Sequence, residues 1–120
     1  MAQHNDLGFK GEAIAKQYLE QLGYEILDEN WHYNKAEIDI IAFDVDQLVF
    51  VEVKARSSTD FGEPEDFVDD AKQHHLERAS AAYIEQVDWN GEIRFDIIAI
   101  NFIKHREPVI KHIKDAFFPA

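Results

Sequence analysis

Apolar residues recur every three or four positions near the start of the chain, and this spacing predicts an α-helix. The segment runs from about Asn5 or Asp6 to Leu22, and Gly23 follows directly, where a glycine is suited to end a helix. Gly11 lies inside the segment. A glycine within a helix costs about 1 kcal/mol relative to alanine, so its presence indicates close packing or a bent start.

Three strands are predicted next. Residues 24–30 form the first, and two strongly apolar runs at 37–43 and 48–54 form the second and third. Residues 44–47, between the last two runs, have the polar composition of a turn, so these strands should pair as a hairpin. A strand as apolar as 48–54 is typical of a sheet that is covered on both faces.

The second half of the chain predicts a helix that begins near Pro64 and Asp66 and ends near Gln86. A strand follows at residues 93–100, and residues 109–113 are a candidate edge strand. A helix that connects two strands allows them to pair in parallel, so the order helix, three strands, helix, strand predicts an α/β fold with a mixed sheet. The predicted apolar stripe of this second helix is Val68, Ala71, His75, Ala79 and Ala82.

Length and composition favour one domain that spans residues 1–120. The chain has 120 residues and 46% hydrophobic content, which suits a modest core. Cysteine is absent, which excludes disulfides and thiolate metal sites. The first residues lack the features of a secretory signal, and no apolar run approaches membrane-spanning length, so a cytoplasmic protein without membrane association is expected.

Charged residues inside the apolar strands are the main chemical signal. Side chains alternate along a strand, so Glu52 and Lys54 should share a face, about 7 Å apart. A short loop at residues 44–47 would place Asp39 opposite Glu52, and Glu37 opposite Lys54. Opposed side chains lie about 5 Å apart, and two like charges there repel each other. A divalent cation between Asp39 and Glu52 would reverse that repulsion, and Mg²⁺ takes carboxylate oxygens as ligands.

A simpler interpretation stays open at this point. Glu52 and Lys54 can form an ion pair at a strand edge, with Asp39 solvated at the rim of the sheet. The combination of three charges in two apolar strands favours a functional site over this alternative.

At these residues the chain resembles the PD-(D/E)XK nuclease superfamily, whose pattern is a lone aspartate followed by Glu-x-Lys. The archaeal Holliday-junction resolvase branch adds a glutamate from the first helix, and Glu12 is placed to match it. More closely, the chain resembles the YraN-like family of uncharacterised bacterial proteins. The stretches that match are Gly11-Glu12, Tyr18-Leu19, Gly23-Tyr24, Glu37-Ile38-Asp39, Phe50-Val51-Glu52-Val53-Lys54, Arg56, Gly62, Lys72 and Arg94-Phe95-Asp96.

The resemblance implies a restriction-endonuclease-like core and a metal-dependent endonuclease that acts on structured or branched DNA, as in DNA repair or recombination. It implies that Asp39 and Glu52 hold Mg²⁺ or Mn²⁺ and that Glu12 completes the ion's shell. Lys54 would orient the attacking water or stabilise charge in the transition state. One departure is Ala36, where the family usually has glycine, and this affects local backbone shape more than chemistry.

Nucleic-acid contacts are predicted at Arg56 and Ser57, and the resemblance to the YraN-like family implies a further one at Lys72. The alternatives are a polar connecting loop for the first two and a surface lysine for the third. The net charge of −12 predicts weak binding to a polyanion unless the cations cluster. A basic run with lysines, arginine and histidines at 104–114 provides such a cluster.

The acidity also supports a second function class, a non-catalytic module that keeps the nuclease fold and binds nucleic acid or protein. Cleavage of a branched junction needs two active sites, so a homodimer would suit that role, although no sequence feature establishes an interface.

Overall fold

Five strands form a mixed sheet in the computed structural model, which describes residues 6–57 and 69–117. The strands lie side by side in chain order, and only β3 and β4 pair in parallel. The elements are α1 (Asp6–Gln21), β1 (Glu25–Tyr33), β2 (Ala36–Asp44), β3 (Gln47–Arg56), α2 (Asp70–Val87), β4 (Glu92–Asn101) and β5 (Val109–Ile113).

The predicted α/β class and element order are confirmed, and the candidate edge strand is present as β5. This architecture is consistent with the restriction-endonuclease-like core that the resemblance implies. Within the described residues, neither helix is long and apolar enough to cross a membrane.

The start of α2 differs from the prediction. The helix begins at Asp70 because Asp69 caps it, with its side-chain Oδ1 accepting a hydrogen bond of 2.9 Å from the backbone N–H of Lys72. Pro64 and Asp66, where the start was predicted, lie outside the described residues.

Two apolar cores cover the two faces of the sheet. Ala15 and Leu19 of α1 pack on one face, and α2 packs on the other. The predicted stripe of α2 was wrong at Ala71 and His75, which are exposed, and confirmed at Ala79, which is buried; Val68 lies outside the described residues. The larger side chains face the sheet instead, since they remove more apolar area from water. The buried residues of α2 are Leu76, Ala79, Ser80 and Tyr83.

Gly11 allows α1 to approach β3 closely, as its position in the helix predicted. A Cβ atom at residue 11 would lie 2.7 Å from the Cβ of Ala55, which is closer than two side-chain carbons can pack. The glycine therefore sets the distance between the start of α1 and the end of β3, and Glu12 is the next residue along the helix.

We expect Gly11→Ala to lower the free energy of unfolding by about 1–3 kcal/mol, the usual cost of overpacking, although alanine favours helix more than glycine does. Urea unfolding would measure it. In the double variant, Ala55→Gly should restore part of the free energy of unfolding that Gly11→Ala removes. If the losses of the two single variants simply add, the side chains at positions 11 and 55 are not in steric contact.

A buried ionic network centred on Arg94 and Asp96 of β4 connects this strand to Tyr24, to the end of β2 and to β5. Arg94 donates to both oxygens of Asp96, with Nε–Oδ1 at 2.8 Å and Nη2–Oδ2 at 2.9 Å. The guanidinium also donates to Tyr24 Oη at 2.6 Å and to Asp44 Oδ2 at 3.2 Å. His112 Nε2 lies 2.7 Å from Asp96 Oδ2, which ties β5 to β4.

Burial alone would raise the pKa of Asp96, but hydrogen bonds from His112, Arg94 and the Asp115 backbone N–H lower it below its ordinary value. The charged carboxylate is therefore the form that the fold stabilises. The same carboxylate, together with Tyr24, raises the pKa of Arg94.

Asp96→Asn should destabilise the protein by about 3–5 kcal/mol at neutral pH, because it leaves the buried Arg94 without its charge partner. Since the folded-state pKa of Asp96 is lowered, the wild type loses this stabilisation as pH falls below about 4, the ordinary aspartate value, and the gap between the proteins should narrow there. Chemical denaturation across pH measures both effects. Asp46→Asn, at an exposed turn position, is the matched control.

Candidate functional site

The hairpin register places the acidic residues almost as predicted, but the strands separate just before they meet. Pairing of β2 with β3 is confirmed from Asp44–Gln47 to Ile40–Val51, and the ladder ends there. Asp39 and Glu52 are therefore not backbone partners, and the prediction of direct opposition was wrong in this detail. Beyond this point β2 continues to pair with β1, and β3 with β4, so the two strands diverge into a fork.

Asp39 occupies the fork. Its Oδ2 accepts a hydrogen bond of 2.8 Å from the backbone N–H of Val53, a donor that the β2 backbone no longer reaches. The alternation of β2 also changes here, since Ile38 packs in the core under α2 and Ile40 in the core under α1. Asp39 thus lies between the two faces and points toward β3.

Two other carboxylates lie on the α1 side of the fork, joined by an asparagine. Asn30 Nδ2 donates to Glu12 Oε1 at 3.0 Å and to Glu37 Oε2 at 2.9 Å. Asn30 has φ 49°, a left-handed conformation that asparagine tolerates better than most residues. The prediction that Glu37 faces Lys54 was wrong, because the β2–β3 ladder ends at Ile40–Val51, before it reaches either residue.

Glu52 lies on the α2 side and is surrounded by two lysines. The prediction that Glu52 and Lys54 share a face is confirmed, with Lys54 Nζ at 3.4 Å from Glu52 Oε2. Lys72 Nζ of α2 lies 3.3 Å from the same oxygen. The other oxygen, Oε1, is buried without a hydrogen-bond partner among the described residues. A buried carboxylate oxygen without a partner costs about 1–3 kcal/mol or more.

Burial and the neighbouring carboxylates both act on the pKa of Asp39. Burial raises the pKa of Asp39 well above its usual range, and the negative charge of Glu52 raises it further. The Val53 N–H opposes this shift, while Glu12 and Glu37 add to it. Asp39 is therefore electrostatically coupled to the carboxylates on both sides of the fork, and its ionised form is costly in the isolated protein.

The carboxylate oxygens at the fork suit a hard divalent cation, although they do not supply a complete set of ligands. Across residues 6–57 and 69–117, no three acidic, histidine or cysteine side chains are grouped closely enough to hold a metal ion. Glu12 is thus not brought together with Asp39 and Glu52 as a three-ligand set. Mg²⁺ usually takes only one or two carboxylates and completes its shell with water and substrate phosphate, so Asp39 and the unpartnered oxygen of Glu52 fit it.

The other predicted contacts lie at the same end of the sheet. Arg56 ends β3 and pairs with Asn101 at the end of β4, and Ser57 follows it at an exposed position. The turn between β4 and β5 therefore also lies at this end and carries exposed Lys104 and Arg106. Part of the basic run thus shares the edge of the sheet that carries the fork.

Sequence reasoning missed Asn30 and the contact between Lys72 and Glu52. Asn30 ended the predicted first strand, and only its polar character within a strand segment could have drawn attention to it. Lys72 was predicted as a nucleic-acid contact, and in the structure its ammonium group lies beside Glu52. The contact forms across a long sequence separation, which no local pattern reveals.

Comparison with known proteins identifies the family. The model of the uncharacterised protein family UPF0102 matches residues 11–100. The chain belongs to the UPF0102 family. A UPF0102 protein of Flavobacterium psychrophilum is 51% identical over 118 residues, 98% of each chain. Another, from Christiangramia forsetii, is 49% identical over 98% of each chain, and one from Rhodococcus opacus is 38% identical over 98% of this chain and 100% of its own. The predicted YraN-like membership is confirmed.

Asp39→Asn should stabilise the metal-free protein at neutral pH, because the amide oxygen can still accept from Val53 while the costly charge is removed. Because the folded-state pKa of Asp39 is raised, wild-type stability falls as pH rises from about 4 through that pKa, and the variant should escape this loss. A gain of about 1 kcal/mol would raise Tm by roughly 3–6 °C.

Thermal unfolding in EDTA at several pH values checks this expectation, with Asp46→Asn as the control. A variant that is less stable than the wild type at neutral pH would contradict the assigned electrostatics of the fork.

Proposed function

We propose that this protein is a metal-dependent endonuclease that hydrolyses phosphodiesters in structured or branched DNA. The observation that carries the proposal is the buried, unpartnered Oε1 of Glu52 beside an aspartate whose ionised form Glu52 itself disfavours. A fold that needs only stability has no reason to keep two such carboxylates together. A bound cation would satisfy the oxygen and lower the cost of both charges.

Asp39 and Glu52 would hold Mg²⁺ or Mn²⁺. When bound, such an ion neutralises phosphate charge and lowers the pKa of a coordinated water, which is the chemistry that phosphodiester hydrolysis needs. Asp39 must be ionised to act as a ligand, so its raised pKa predicts that ion binding releases a proton. Glu12 is tied to the same fork through Asn30 and Glu37, and it would act by holding a water rather than by direct ligation.

Lys54 and Lys72 supply positive charge next to Glu52. Their ammonium groups are held on one face by a strand and a helix, so they require little reorganisation to stabilise developing negative charge on a phosphate. Lys54 suits the role next to the reacting phosphate, because it comes from the strand that carries Glu52.

Cations at the same end of the sheet would contact the DNA backbone. Arg56 and Ser57 follow β3, and Lys104 and Arg106 lie on the neighbouring turn. This local concentration supports DNA binding by a chain whose net charge of −12 predicts weak affinity. Cutting both strands of a branched substrate would require two active sites, so the proposal includes a homodimer.

Cleavage of labelled four-way, flapped and single-stranded DNA in Mg²⁺ tests the proposal. We expect Glu52→Gln and Asp39→Asn each to lower the rate at least about 100-fold, because a ligand contributes at least as much as the outer groups that orient it. Glu25→Gln, an exposed glutamate at the other end of the sheet, should retain wild-type activity.

Calorimetric titration with Mg²⁺ gives an independent measurement. Glu52→Gln should weaken binding, and proton release should appear as a dependence of the measured heat on the ionisation enthalpy of the buffer. If no substrate is cleaved, or if cleavage persists in both Glu52→Gln and Asp39→Asn, the proposed endonuclease activity is rejected.

One observation favours a second candidate, a non-catalytic module that binds nucleic acid or protein. Lys54 and Lys72 already neutralise one oxygen of Glu52 without any metal. This alternative predicts no measurable Mg²⁺ binding. It also predicts that Lys54→Met leaves binding to the nucleic-acid or protein partner unchanged. The same titration with Mg²⁺ therefore separates the two candidates.

A further inference from the structure

An open cleft adjoins the fork and has no part in the chemistry proposed above. It lies between the end of the β1–β2 hairpin and one side of α2, and it consists of two neighbouring cavities of about 830 and 510 Å³. Tyr33, Asn34 and Arg78 line both cavities. We call this space the hairpin cleft. Volumes of about 300–1,000 Å³ are typical of sites that bind small ligands.

The hairpin cleft carries two cations, Lys35 and Arg78, together with the imidazole of His75. Within the described part of the chain, no hydrogen bond or ion pair engages these three side chains. In a chain with a net charge of −12, cations that avoid ion pairing with so many carboxylates point to an anionic ligand. The arginine adds a planar group that can contact a phosphate through two hydrogen bonds.

Aromatic groups give the cleft a surface on which a base can stack. Tyr33 is 41% exposed although it lies in a strand. Trp31, two residues earlier, packs edge-to-face on Tyr83 of α2, with ring centroids 5.2 Å apart. The wall that presents Tyr33 is therefore fixed to the core, and the tyrosine can bind with little loss of conformational entropy.

Residues on both walls of the cleft lie near residues of the proposed active site. On the hairpin wall, His32 Nε2 lies 3.6 Å from Glu37 Oε1, and Glu37 shares Asn30 with Glu12. On the helix wall, His75 lies one turn after Lys72, which contacts Glu52. A strand that reaches the fork can therefore extend into the cleft.

We propose that the hairpin cleft binds an unpaired stretch of DNA next to the phosphodiester that is cut. The proposal rests on the proposed function and narrows its substrate to DNA with a single-stranded segment. Exposed aromatic rings combined with a cationic groove are the means by which proteins bind single strands. Stacking on Tyr33 requires an unpaired base, because the bases of a duplex are already stacked on one another.

Fluorescence anisotropy with a labelled oligothymidylate of about 12 nucleotides, a length within the usual range of single-strand sites, tests the proposal. Tyr33→Ala should weaken binding at least about fivefold, the lower end of the effect of losing one stacked base, whereas Tyr33→Phe should stay within about twofold. Arg78→Ala should weaken binding and lower the salt slope by about 0.7, the value for one phosphate contact on a single strand.

Matched controls are available elsewhere on the surface. Leu27→Ala removes an exposed apolar side chain from the same strand, and Lys114→Ala removes an exposed cation that follows β5, at the edge of the sheet opposite β1. Both should bind like the wild type. A duplex of the same length should bind more weakly than the single strand, and an oligouridylate should not bind more tightly than oligothymidylate.

Several results would overturn the proposal: no binding of the oligonucleotide, equal losses in Tyr33→Ala and Leu27→Ala, or preference for duplex or RNA. A Tyr33→Ala variant that binds DNA normally but loses a dimer in sedimentation would assign the cleft to a second copy of the chain. Because the binding assay contains EDTA, it is independent of cleavage, and failure of the enzyme proposal is measured separately.

Discussion

The hydrogen bond from the Val53 N–H to the Asp39 carboxylate is the interaction on which the site depends. It forms because β2 stays with β1 while β3 stays with β4, so the central hairpin must open. Opening leaves a backbone donor at the fork, and a side chain supplies its acceptor. The sheet thereby fixes a carboxylate between its two faces. Since that carboxylate is buried near Glu52, the same geometry raises its pKa.

Opening the hairpin also separates the remaining charges by face. Glu52 and its two lysines lie on the α2 side of the sheet, whereas Glu12 and Glu37 lie on the α1 side and share Asn30. The charge of Glu52 is partly compensated by the ammonium groups, and the charges of Glu12 and Glu37 by hydrogen bonds from the Asn30 amide. Among the described residues, Asp39 accepts a hydrogen bond from one backbone N–H. Asp39 is therefore the residue whose ionised form an added cation would stabilise most.

Sequence periodicity predicted the strands and the hairpin register because these depend on alternation and on a short turn, both local properties. It did not predict the fork, because the end of a ladder is set by competition with β1 and β4. The assignment of the buried face of α2 failed for a related reason. Small residues fit more than one stripe, and the choice depended on Leu76 and Tyr83, whose partners lie on distant strands.

For the proposed binding of nucleic acid, net charge is a weaker guide than the position of the cations. Interactions between exposed charges fade beyond about 8 Å at physiological salt, so a distant carboxylate has little effect on a local contact. Lys54 and Lys72 lie at the fork, Arg56 ends the same strand, and Lys104 and Arg106 lie on the adjoining turn. A phosphate that approaches the fork from the α2 side would therefore meet the ammonium groups of Lys54 and Lys72. The carboxylates elsewhere on the surface would still lower the affinity for long duplexes. The proposed function therefore favours substrates that are recognised at one local, unpaired position.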